Sequence, residues 1–149
     1  IKGCVKRAEG LTGAWAETET EPVYAERYPC LPMCEAFRDN MGRLGISMCS
    51  PKPGELFGSS DIGNVSIRIP AIHDYLSITD DASIEAHSSG YARAAAGPEA
   101  DRICILGAKG LAMTGLDLLK DKGLREKSIT YHKETVPSFY GRIENGNYD

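Results

Sequence analysis

The segment from about Glu99 to Lys120 reads as one long helix, and its glycines constrain what it can pack against. Ile105, Ala108, Ala112, Leu116 and Leu119 recur at helical spacing and form its expected buried stripe. Gly107, Gly110 and Gly115 each lower helix propensity by about 1 kcal/mol relative to alanine. Three such positions are tolerable where that face packs closely on a sheet. Strand-like runs stand ahead of the helix. From Ile62, the residues Val65, Ile67 and Ile69 alternate with Asn64, Ser66 and Arg68, and Pro70 ends the run. Ile72 to Ile78 reads as a second short strand.

Other segments carry clear punctuation. Lys2 to Thr12 reads as a helix with Gly13 as its stop. Ala14 to Val23 alternates as a strand, with Glu17, Glu19 and Glu21 on one solvated face. Met33, Phe37, Met41 and Leu44 repeat at helical spacing, Pro32 suits the first turn, and Gly45 suits the position past the end. Pro51-Lys52-Pro53-Gly54 is a loop, Asp80 to Ser83 is turn-like, and Tyr91 to Ala96 is a short helix broken at Gly97-Pro98. The polar stretch from Lys127 to Asp149 reads as a partly extended tail.

With 149 residues, the chain holds one domain's worth of sequence. Its net charge of −4, with dispersed basic residues, argues against nucleic acid or an anionic membrane as partner. No apolar stretch approaches the roughly 20 residues that span a bilayer. Five cysteines are an odd number, which disfavours a closed disulfide framework. Cys30 and Cys34 would suit a metal if their stretch were helical, but no second pair completes a zinc pattern. Reduced, mostly buried thiols in a cytoplasmic protein are the expectation. The chain opens on Ile1 inside a helical pattern, as a piece of a longer polypeptide would.

Chemistry-bearing residues cluster in two segments. Asp61 stands in Gly58-Ser59-Ser60-Asp61-Ile62-Gly63-Asn64-Val65-Ser66, just before the expected strand, where open sheets place ligands. A turn aspartate capping local amides is the plainer alternative. His87 stands in Glu85-Ala86-His87-Ser88-Ser89-Gly90, among small residues that leave an imidazole accessible. Neutral imidazole is a common zinc ligand, although a lone histidine is more often structural. His73, beside Asp74, is either a second ligand, a substrate contact or a surface residue, and His132 reads as a solvated tail residue. Dinucleotide and phosphate-loop glycine motifs, a nucleophile elbow and a His-Glu-x-x-His helix are all absent.

Taken together, GSSDIGNVSIRIPAIHDYLSI, EAHSSGYARAAAG and the helix ending GLDLLKD resemble one family. It is the amidohydrolase branch of the aminoacylase/carboxypeptidase-type metallopeptidases, nearest the aminobenzoyl-glutamate hydrolase and dipeptidase-like members. The family pattern runs Gly-Ser-Thr-Asp-x-Gly-Asn-Val-Ser, then Pro-x-x-His, then His-Ser or His-Thr; Ser60 stands here where threonine is usual. The resemblance covers nearly the whole chain and is most specific from Gly58 to Gly97. It implies an α/β fold made of the C-terminal part of a catalytic domain, residues 25–149, and the end of a lid or dimerisation domain, residues 1–24.

By the same resemblance, His87 matches the last ligand of a centre holding two divalent ions, zinc or manganese. Ser60, Asp61, Asn64 and His73 match site-supporting or substrate-contacting positions. The family's Gly-His-Asp motif, Glu-Glu pair and lid histidine have no counterpart here: the chain has three histidines and no adjacent glutamates. The expectation is a fragment, inactive alone, of a cytoplasmic, homodimeric amidohydrolase. That parent would cleave N-acyl amino acids, aminobenzoyl-glutamate or small dipeptides once joined to the N-terminal part of the same protein. The rival expectations are a non-catalytic interaction module and a small-ligand or phosphate site at Gly58 to Asn64.

Overall fold

The computed structural model describes residues 1–19, 24–50 and 60–138, and these are helical. Six helices follow in order: α1 Lys2–Thr12, α2 Leu31–Arg43, α3 Ile62–Ser66, α4 Ser89–Ala95, α5 Pro98–Lys120 and α6 Lys122–Thr135. Helices α2, α5 and α6 pack on one another, and α4 leans on α5. Among the described residues the buried core is small: Cys30, Phe37, Met41, Ala71, Ala100 and Ile103. No helix among the described residues is long and apolar enough to cross a membrane.

The expected α/β class is overturned, because the described residues hold no sheet. Their only strand-like pairing is one parallel bridge, Pro29 to Ala71, where the Cys30 amide donates to the Ala71 carbonyl at 2.9 Å. The residues expected to open a strand at Ile62 instead form α3. There the Ser66 hydroxyl bonds back to the Gly63 carbonyl at 2.9 Å, a local bond that suits a helical turn. Residues 72–78 run without regular structure. A ladder needs a second strand to bond to, and none lies alongside among the described residues. Residues 14–19 are likewise irregular, and Glu21 of that expected strand lies outside the described residues.

Helix ends follow the sequence closely. Gly13 and Gly45 take left-handed φ values of 69° and 80° just past α1 and α2, where a side chain would be strained. At the corner between α5 and α6, Asp121 Oδ1 accepts from the Leu124 amide at 3.1 Å. Arg125 donates to the last carbonyls of α5, Leu118 at 2.7 Å and Leu119 at 2.9 Å. These bonds satisfy groups that a helix terminus leaves open. Residues 127–135, expected as extended tail, therefore belong to α6.

The face of α5 that is buried differs from expectation. Ala100, Ile103, Gly110 and Thr114 face inward, while Ile105, Ala108, Ala112, Leu116 and Leu119 are all exposed. Gly110 explains the choice. A methyl there would overlap Met41 Sδ and lie 3.0 Å from Phe37 Cε2, so this glycine lets α2 approach α5 closely. Beside it, Asn40 is 1% exposed. It donates to Thr114 Oγ1 at 3.1 Å and Asp117 Oδ2 at 2.7 Å, and accepts from Arg43 at 3.0 Å. Thr114 passes its own proton to the Gly110 carbonyl at 2.9 Å. Every buried polar atom in this chain of bonds thus has a partner.

Candidate functional site

The Gly63-Asn64-Val65-Ser66 motif clamps residues 25–28. Asn64 Oδ1 accepts from the Ala25 amide at 2.7 Å, and Ser66 Oγ accepts from the Tyr28 amide at 3.0 Å. Between these bonds Gly63 lies against the Ala25 backbone so closely that a methyl would overlap its carbonyl. Behind the clamp, His132 on α6 donates from Nε2 to the Ser66 carbonyl at 2.8 Å. That contradicts the expected solvated tail histidine. Asn64, expected near a ligand, spends its side-chain carbonyl on the backbone.

The clamped segment presents Arg27. Its Nη1 donates to Tyr75 Oη at 3.0 Å and lies 3.4 Å from His73 Nδ1. The guanidinium sits 6.0 Å from the Tyr75 ring centre, and the His73 and Tyr75 rings stand 5.0 Å apart. Arginine only donates, so a hydrogen bond in this contact would use His73 Nδ1 as its acceptor. His73 also lines a cavity of about 190 Å³ with Phe37, Ile72, Asp74, Leu76, Gly107 and Leu111. Burial holds the Asp74 carboxyl above its ordinary value, and His73 offsets this in part. Asp74 Oδ2 is buried without a hydrogen-bond partner. Burial, then the nearby Asp74 and Cys30, pushes the Cys34 thiol up to about 12. Cys30 is buried, but Cys4, Cys49 and Cys104 are exposed, so the thiols are not mostly buried as expected.

His87 sits apart from these groups, on the turn before α4. Its φ is 62°, and it is the one non-glycine residue with positive φ among those described. The left-handed region costs an ordinary side chain about 1–2 kcal/mol. Ser88 holds the turn from both sides, donating to the Glu85 carbonyl at 2.7 Å and accepting from the Tyr91 amide at 3.0 Å. The imidazole is exposed. Asp61 stands exposed at the start of α3 and makes no side-chain capping bond. Ser60 Oγ accepts from the Ile62 amide at 3.3 Å. No hydrogen bond or ion pair joins His87 to Asp61, Asn64 or His73 among the described residues. Nor do any three His, Cys, Asp or Glu side chains there gather as a metal-binding group. A two-ion centre is thus not fitted by these residues alone.

Comparison with known proteins decides the kinship. The chain is 34% identical over 126 residues to the mouse protein named Xaa-Arg dipeptidase, a match covering 83% of this chain. It is 36% identical over 98 residues to the human protein of that name, covering 64% of this chain. Over these stretches the chain is similar to proteins named Xaa-Arg dipeptidase. It spans 29% of the mouse protein's length and 22% of the human one's. This bears out the resemblance to the aminoacylase-like amidohydrolase branch of the metallopeptidases. No family profile matches the chain, and no solved structure does.

Sequence reasoning missed Arg27, Tyr75 and the structural use of His132. Arg27 lies 46 residues from His73 and His132 lies 66 from Ser66, so no local pattern joins either pair. His87 was picked out by its small, polar neighbours, and its left-handed backbone was not read from them: histidine is enriched there, but few non-glycine residues adopt that region at all.

Proposed function

We propose that these residues form part of an amide-hydrolysing dipeptidase, with His87 as the side chain they contribute to a metal centre completed by the N-terminal part of the same protein. The carrying observation is the His87 turn. A histidine is kept at φ 62° by a serine that bonds on both sides of it. Strained, over-determined residues of this kind cluster at functional sites. The kinship with proteins named Xaa-Arg dipeptidase supports a dipeptide with C-terminal arginine as the first substrate to try. Other N-acyl amino acids, aminobenzoyl-glutamate among them, fit the same amide chemistry. Zinc or manganese would fill the centre; Ser60, Asp61, Asn64 and His73 support it, Asn64 through the backbone it clamps. The working form is a cytoplasmic homodimer.

The test compares full-length wild type with His87→Gly and His87→Ala on an Xaa-Arg dipeptide. Glycine relieves the left-handed backbone, so His87→Gly should keep or slightly raise Tm. Groups that merely support a metal ligand cost about 10–100-fold when lost, so removing the ligand itself should cost more than about 100-fold in kcat/KM. Loss of stability without loss of hydrolysis in the folded fraction would show that the histidine only shapes the turn.

A further inference from the structure

Helix α5 has a second apolar face that nothing in the described residues covers. Ile105, Ala108, Ala112, Leu116 and Leu119 follow one another at spacings of three and four, a continuous stripe about 21 Å long at 1.5 Å per residue. Ile105 is 57%, Leu116 47% and Leu119 78% exposed. None of the five carries a charge. Directly opposite, Ile103, Gly110 and Thr114 are buried against the rest of the bundle. A surface helix shows one apolar face and one polar face; a helix apolar on both sides is one buried on both sides.

We infer that this outer face is an intramolecular packing surface, covered by the part of the polypeptide lying outside residues 1–149; this rests on the reading of the chain as part of a longer dipeptidase. Two observations favour that occupant over a second copy of this chain. The relatives leave more than two-thirds of their length unmatched by the chain, which spans only 29% and 22% of them. The shortage of burial also extends beyond one stripe. Of a chain that is 42% hydrophobic, six hydrophobic residues are buried among those described. Val65, Ile69 and Tyr75 stand exposed as well. A larger body folded against the same polypeptide can reach them too.

Thiol protection tests this. Ala108→Cys and Ala112→Cys are introduced singly into the full-length protein and into residues 1–149, with Lys120→Cys as an exposed control. Alkylation of each peptide is followed by mass spectrometry, with the urea-unfolded chain as reference. The two stripe thiols should react at least about 100-fold more slowly in the full-length protein than in the short chain, with Lys120→Cys unchanged within about threefold. Protection must persist on dilution to monomer. Stripe thiols that stay reactive in the full-length protein overturn the inference, as does protection that disappears on dilution, which would assign the face to a second copy. An encoding frame that adds nothing to residues 1–149 also overturns it. Dipeptide hydrolysis is measured on the same full-length wild-type preparation. Protection without hydrolysis keeps the packing surface and removes the dipeptidase reading; hydrolysis without protection does the reverse.

Discussion

Gly63 has no room for a side chain, because the Ala25 carbonyl occupies the space where a methyl would go. The clash is with backbone, which cannot rotate away as a side-chain tip would. Gly63→Ala should therefore displace residues 25–28, break the Asn64 and Ser66 bonds to them, and cost about 1–3 kcal/mol in urea unfolding; a change under ~0.5 kcal/mol would show that the clamp is dispensable. Asp74 makes a second residue-level test. Burial raises its carboxyl, so the folded chain holds this proton more tightly than the unfolded chain, whose aspartates titrate near about 3.9. The sign follows: Asp74 favours folding most below that value, and the benefit is lost as pH rises through the folded value. With Oδ2 unpartnered, its charge at neutral pH opposes the fold. Asp74→Asn should raise Tm at pH 7 and leave it unchanged at pH 3. A loss at pH 7 would mean the carboxylate is needed there. The site was half legible at this scale. Gly63, Asn64 and Ser66 stood out as a motif, but their partners lie 38 or more residues away, and only folding reveals that the motif grips backbone.

Helix boundaries were readable where capping chemistry marks them. Gly13 and Gly45 ended their helices as expected, and Pro98 opened α5. The corner at Asp121 was also written in the chain, as an aspartate bonding to the amide three residues on. Alternation from Val65 to Ile69 misled because period two is a preference for a partner, and the described residues provide none. Periodicity also could not say which apolar face of α5 turns inward. Close approach at Gly110 decides that, and it gives a test. Alanine there would gain about 1 kcal/mol in helix propensity but must push Met41 and Phe37 aside. Overpacking costs about 1–3 kcal/mol, so Gly110→Ala should be destabilising by ~1 kcal/mol net, while Gly115→Ala, with open space around it, should stabilise by a similar amount. Equal effects at the two positions would remove the close-approach argument.

With so few hydrophobic residues buried among those described, the bundle is held by a thin margin, and the cysteines can measure that margin. Burial makes small domains marginal when apolar surface is left uncovered. Cys30, which opens α2, is 1% exposed, and its Sγ lies 3.8 Å from the Ser128 carbonyl of α6. It therefore reports whether α2 and α6 are together. Cys34 lies one turn further on, its thiol pushed up to about 12. The thiolate is the reactive form, so at pH 8 Cys34 should alkylate roughly a thousandfold more slowly than an ordinary exposed thiol. Cys4, Cys49 and Cys104 should react at once. Alkylation of native residues 1–149 should then show three fast thiols and two slow ones, and the slow pair should speed up together as urea is added, because one opening of the bundle uncovers both. Five equally fast thiols in dilute buffer would mean that residues 1–149 do not hold the α2, α5 and α6 core on their own. The fold would then depend on the same missing surface that the outer face of α5 awaits.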